Sequence, residues 1–179
     1  MAVKILDKIV YKFSNNPKEF LKGLTTNNID APITAFLDKF AKTIVVCDQF
    51  FAHDEVYLLF YSEFEKIFLE HINKYLPFSE TKMQKMDYKV AYSEQKIGEI
   101  QIKQKKGFIC LTKENIKEDL SKEDFTKIRL KNFMPVQGID FTHEMFLEVN
   151  IPDSISFTKG CYLGQEIIAR VTSRAKPVK

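Results

Sequence analysis

The sequence predicts an α+β protein built on mostly antiparallel sheet, and three observations carry that expectation. Short β-rich pieces recur along the chain, separated by tight polar turns. Helical patterns are inserted among them without the strict strand–helix alternation of a parallel α/β fold. The composition can also furnish a core, since 45% of the 179 residues are hydrophobic and sixteen are Phe.

Taken in order, Ile9 to Phe13 reads as a short strand ending at Ser14-Asn15-Asn16-Pro17. Asn16 as N-cap, Pro17 as first helical residue and Glu19 as capping-box partner predict a helix through Phe20 and Leu21, interrupted near Gly23. Thr25 to Pro32 is loop-like. Ala35 to Leu37, Thr43 to Cys47 and Val56 to Phe60 follow as strands, the last two separated by the polar turn Ala52-His53-Asp54-Glu55. Ser62 and Glu65 open an amphipathic helix whose apolar stripe is Phe64, Ile67, Phe68, Ile72 and Tyr75; His71 stands beside that stripe, and Pro77 ends the helix. Tyr88 to Tyr92, Glu99 to Lys103 and Gly107 to Leu111 are expected strands, with Lys103, Lys105 and Lys106 in a solvated turn. Ser121 and Asp124 cap a helix that turns Phe125 and Ile128 inward. Pro135 to Asp153 is a long irregular connection, and Gln165 to Val171 a final helix with Ile167, Ile168 and Val171 as apolar contacts.

Several function classes lack their signatures. Lys and Arg exceed Asp and Glu by 27 to 24, too even a balance to imply direct nucleic-acid binding. Neither phosphate loop, dinucleotide fingerprint, nucleophile elbow nor HExxH pair occurs. Cys47, Cys110 and Cys161 are far apart and form no CxxC pair, so no metal site and no disulfide framework is indicated. No apolar run is long enough to span a membrane and no secretory leader is evident, which points to the cytoplasm.

The stretch most suited to chemistry is Lys159-Gly160-Cys161-Tyr162-Leu163-Gly164-Gln165-Glu166. Gly160 and Gly164 suggest a sharp turn through positive φ. Cys161 would precede a helix N-terminus, where backbone N–H groups and the nearby Lys159 favour a thiolate. The alternative is a small buried hydrophobe in a turn.

This octapeptide, with Ile155-Ser156-Phe157 before it and Ala169-Arg170 after it, resembles the signature of the YgfZ family of folate-binding, GcvT-like proteins, implicated in iron–sulfur cluster assembly and repair. The likeness extends along the chain: Phe20 to Asn27 resembles the family's early Phe-Leu-x-Gly-x-x-Thr segment, Ala35 to Phe60 its following strands, and Arg129 to Asp140 its Arg-Ile-Glu-x-Gly-x-Pro-x-x-Gly-x-Asp stretch. In that last stretch Lys131 and Phe133 stand where the family has Glu and Gly, and Lys39-Phe40-Ala41-Lys42 replaces a turn that usually holds Gly.

The resemblance implies a GcvT/YgfZ-like folate-binding region over residues 1–179, arranged as two intertwined subdomains, about 1–80 with the C-terminal segment and about 81–135. The family's smaller C-terminal β-barrel has no counterpart here. The implied ligand is tetrahydrofolate or a derivative in a central cavity, with Cys161 as the functional thiol facing it. Lys159 would give electrostatic support, Gln165 and Glu166 orienting hydrogen bonds, and Arg170 an anion contact, while Gly160, Tyr162 and Gly164 complete the motif. Arg129, Lys131 and Asp140 mark the candidate folate region. The implied protein is a monomeric accessory factor rather than a conventional enzyme, with iron–sulfur client or assembly proteins as partners. Two alternatives stay open: a folate-dependent aminomethyltransferase-like enzyme, and a family member that has lost folate binding.

Overall fold

In the computed structural model, which describes residues 2–174, the chain forms two antiparallel sheets with five helices around and between them. The strands are β1 Val3–Leu6, β2 Lys8–Ser14, β3 Ile33–Leu37, β4 Thr43–Ala52, β5 Glu55–Tyr61, β6 Lys82–Met86, β7 Lys89–Ser93, β8 Ile100–Lys103 and β9 Phe108–Thr112. The helices are α1 Pro17–Lys22, α2 Glu65–Ile72, α3 Lys122–Lys131, α4 Phe146–Val149 and α5 Gln165–Arg174. One sheet runs β3-β4-β5-β2-β6 and the other β1-β7-β9-β8. The expected α+β, antiparallel character is therefore present.

Strand alternation gives the five-stranded sheet two apolar faces. Phe13, Leu58 and Phe60 point toward α1 and α2, where they pack with Leu21, Phe36, Phe68 and Ile72. Val10 and Leu59 point the other way, onto Leu6, Tyr92, Ile109 and Leu111 of the four-stranded sheet and Phe125 of α3. The hairpin β4–β5 closes through His53 and Asp54, both at positive φ (51° and 59°). That pair of left-handed residues matches the right-handed twist of the strands it joins.

Several expectations are corrected. Asn16 is itself left-handed (φ 57°) and makes no side-chain cap, so the proposed box with Glu19 does not form; Pro17 at the first helical position remains. Ser62 begins a 3-10 turn rather than an α-helix, and its hydroxyl donates to Asp7 Oδ2 at 2.6 Å. Glu65 accepts from Tyr11 Oη and Lys85 Nζ, each at 2.6 Å, instead of capping. Ile67 is exposed, whereas His71 is buried against Phe36 and Tyr75. The helix stops at Ile72, ahead of Pro77, and a second 3-10 turn follows. Ser121 does cap α3, its Oγ accepting from Asp124 N at 3.1 Å. The last helix leaves Val171 exposed and buries Ile168. Strands β1 and β6 are not among the strands that the sequence pattern predicts, and within the long connection α4 adds one helical turn. Among the described residues no helix is long and apolar enough to cross a membrane.

Candidate functional site

The Cys161 turn is laid along the loop that follows α1. Ser156 N donates to Thr26 O at 2.9 Å, Thr26 Oγ1 to Ser154 O at 2.7 Å, Asn27 Nδ2 to Asp153 O at 2.7 Å, and Leu163 N to Gly23 O at 3.0 Å. The buried Thr25, Thr26 and Asn27 thus act as a polar rail for residues 153–163. Buried polar groups are stable only when paired in this way.

Lys159 fastens the turn. Its Nζ donates to Thr25 O at 2.5 Å and Asn27 O at 2.9 Å, and lies 5.3 Å from the Tyr162 ring centroid. Burial, with Lys22 adding to it, lowers the Lys159 pKa to about 8. These contacts make the Lys159 ammonium a clamp on carbonyl oxygens. Tyr162 is buried with Ala35, Leu37, Ala41, Phe146 and Ile168, and that burial raises its pKa to about 12. Gly164 sits at φ +84°, and a Cβ there would lie 2.7 Å from Asp38 O. Only glycine meets both demands without strain. Gly160 is not at positive φ; a Cβ on it would meet the flexible Lys22 Cε at 3.1 Å. Gln165 Oε1 accepts from Tyr162 N at 3.2 Å, tying the turn to the start of α5. Glu166 and Arg170 pair with each other at 2.7 Å on the exposed face. Between these anchors Cys161 is exposed, which excludes the buried-hydrophobe alternative, whereas Cys47 and Cys110 are buried. Beside the turn lies a polar cleft of about 310 Å³ whose lining includes Lys18, Glu19, Lys22, Asn27, Lys159 and Gly160.

A separate cavity of about 440 Å³ opens between the two sheets. Lys8 of β2, Val46 and Asp48 of β4, and Tyr61 of β5 project into it from one sheet. Lys103 reaches it from the end of β8, Gln104 and Lys105 from the β8–β9 turn, and Arg129, Phe133 and Met134 from the end of α3 and the residues just past it. Inside, Lys8 Nζ pairs with Asp48 Oδ2, and Gln104 Nε2 donates to Asp48 Oδ1 at 3.3 Å. Burial is the largest single influence on Lys8 and pulls its pKa down, but the charge and hydrogen bond of Asp48, with Tyr61 adding, together outweigh it and the pKa is raised. Tyr61 is raised by burial against the opposing pull of Lys8.

The sequence-predicted folate residues divide. Arg129 is buried at the cavity wall and its Nη1 binds Asp140 Oδ2 at 2.5 Å, an oxygen that also accepts from Val136 N at 2.7 Å. This pair shapes the loop after α3. Lys131 is exposed and neither it nor Asp140 lines the cavity. Residues 159–166 do not contribute to the wall of this cavity. Sequence reasoning misses Lys8, Asp48, Tyr61 and Gln104. For Lys8 and Asp48 the local signal is a charge in a largely apolar strand, as in Val45-Val46-Cys47-Asp48, and Tyr61 and Gln104 carry none. Among the described residues no three His, Cys, Asp or Glu side chains converge as a metal site.

No protein-family model and no curated protein matches the chain. Among solved structures it is similar to the glycine cleavage system aminomethyltransferase T from Bartonella henselae, at 10% sequence identity and a TM-score of 0.45. The match covers 50% of this chain and 27% of that one; the chain thus corresponds to only part of that enzyme's length.

Proposed function

We propose that this chain is a YgfZ-like folate-binding factor that supports assembly or repair of iron–sulfur enzymes through Cys161. The observation that carries the reading is the build of the turn. A clamped lysine, a buried tyrosine and a glycine that nothing can replace without strain together hold one cysteine out in solvent. A single exposed thiol cannot hold a cluster that needs four thiolates, so contact with a cluster is shared with a client or assembly protein.

What supports folate as the ligand, besides the motif resemblance, is the fit of the inter-sheet cavity. Its volume of about 440 Å³ falls in the range of small-molecule sites. Asp48 offers a carboxylate to the N–H groups of a pterin, Gln104 offers both a donor and an acceptor, and Tyr61 and Phe133 offer aromatic surface. The family's Glu is replaced by Lys131, but that ammonium stands outside the cavity wall and opposes no ligand there.

Calorimetric titration of the full chain with tetrahydrofolate is expected to give saturable binding that weakens in Gln104→Ala, a change that leaves the Lys8–Asp48 pair in place. Expression of Cys161→Ala in a strain lacking its own homologue is expected to fail to restore iron–sulfur enzyme activity while folding normally. Full rescue by that variant removes the thiol from the proposal, and absence of binding by the wild type removes folate.

A further inference from the structure

Phe133 is held where its residue type is costly and where the rest of the chain gives it little to pack on. It is the first residue past the C-cap Asn132 of α3 and adopts φ 52°. Phe133 N donates to Leu130 O at 3.3 Å and Met134 N to Arg129 O at 2.9 Å, closing a helix end of the kind that takes glycine by default. A bulky side chain in the left-handed region is strained, and such strain persists where the surroundings or a function require it. Packing does not explain this case, because Phe133 is 69% exposed.

What the ring does face is the inter-sheet cavity, whose wall it joins. Lys105 Nζ, from the β8–β9 turn of the other sheet, stands 5.0 Å from its centroid. The charges along that wall are not equivalent. Lys8 is engaged by Asp48 and Arg129 by Asp140. Among the described residues Lys103 and Lys105 form no ion pair with any carboxylate.

We propose that Phe133 is a ring-stacking residue of this cavity. It takes the flat aromatic portion of a ligand, while Lys103 and Lys105 receive a carboxylate attached to that portion. The assignment rests on the folate reading, in which the stacked group is the aminobenzoyl ring and the carboxylate belongs to the glutamate joined to it. It deepens that reading by giving a role to a residue at which this chain departs from the family pattern. An arene stacked on the open face of Phe133 would supply the contact that the fold withholds.

The test uses the full chain, with tetrahydrofolate and tetrahydropteroate (which lacks the glutamate) as calorimetric probes and thermal melts of the unliganded protein. Phe133→Gly relieves the backbone and removes the ring. It is expected to leave Tm level or higher and to weaken tetrahydrofolate about tenfold. Phe133→Leu keeps an apolar side chain without a π face and is expected to weaken binding similarly, whereas Phe133→Tyr retains it. Wild type is expected to prefer tetrahydrofolate to tetrahydropteroate, and Lys103→Ala/Lys105→Ala to lose that preference. Tetrahydrofolate binding by Phe133→Gly within about twofold of wild type overturns the stacking role, as does a marked fall in Tm, which would make the ring a structural brace. An unchanged preference in the lysine variant overturns the carboxylate seat. No binding by wild type refutes the folate reading itself and takes this assignment with it, an outcome distinct from binding that Phe133 does not affect.

Discussion

Breaking the ion pair inside the cavity should be among the most damaging polar changes available. The Lys8 and Asp48 side chains are only 11% and 7% exposed, and Gln104 is the carboxylate's other side-chain partner. Lys8→Met leaves a buried carboxylate with one weak donor, and Asp48→Leu leaves a buried ammonium with no counter-charge. Each single change is expected to cost about 3–5 kcal/mol, the range for stranding one member of a buried pair. For a chain of this size that lowers Tm by roughly 10 °C. The double variant Lys8→Met/Asp48→Leu removes both charges and should recover most of the loss, giving a coupling of about 3 kcal/mol. Urea unfolding followed by far-ultraviolet circular dichroism measures all four proteins. The pH dependence has a definite sign. Because the folded Lys8 pKa is raised above 10.5, its contribution is fully present below that value and is lost as pH climbs through the folded pKa. The gap between wild type and Lys8→Met should therefore be flat from about pH 7 to about pH 10 and narrow only above it. Single variants costing under about 1 kcal/mol, or costs that simply add, would refute the idea that the two charges depend on each other.

The turn and the core give three further expectations. Gly164→Ala should cost about 2–4 kcal/mol in the same urea assay, because it combines a left-handed Ala with a 2.7 Å approach to Asp38 O, whereas Gly160→Ala should cost under about 1 kcal/mol. Burial, with Lys74 adding and Asp38 opposing, lowers His71 from 6.5 to about 4, so it stays neutral when folded. Below pH 6.5 the unfolded chain takes up a proton that the folded chain refuses, so stability falls with pH. Between about pH 7 and pH 5, wild type should lose about 1–2 kcal/mol more than His71→Phe. Finally, a disulfide reagent such as dithiobis(nitrobenzoate) should titrate one thiol in the native protein and three in denaturant, since Cys161 is exposed and Cys47 and Cys110 are buried. A native count of zero or of more than one would contradict the exposure of Cys161 or the burial of its two fellows.

Strands with strong local character are legible in the sequence. The pattern of β-branched and aromatic residues locates β4 and β5, and the polar His53-Asp54 pair marks their turn. Strand β6 is not legible, because Lys82-Met83-Gln84-Lys85-Met86 has little intrinsic strand preference and is held as an edge by pairing with β2. The Asn16 cap fails for a related reason: Thr81 Oγ1 donates to Asn15 O at 2.9 Å in a backbone bent through two left-handed residues, a geometry that no capping motif describes. At the site, the cysteine and its glycine-bounded turn announce themselves in eight consecutive letters. The partners of Lys159 do not, since its acceptors lie 132 and 134 residues away. The cavity is still less local: Lys8, Asp48, Tyr61, Gln104 and Arg129 come from five separate elements and turns, and no window of sequence brings them together.

The placement of β1 also governs how the molecule is made. Val3 to Leu6 completes the far sheet by pairing with β7, and Val3 N donates to the Asp119 carboxylate 116 residues further on. In a chain synthesised from its N-terminus, these residues have no partner until β7 and Asp119 have emerged. High contact order of this kind slows folding, and until β7 arrives the β1 segment is an unpaired strand within reach of other chains. A substitution that weakens the pairing of β1 with β7, such as Lys4→Pro, should therefore reduce the yield of folded protein.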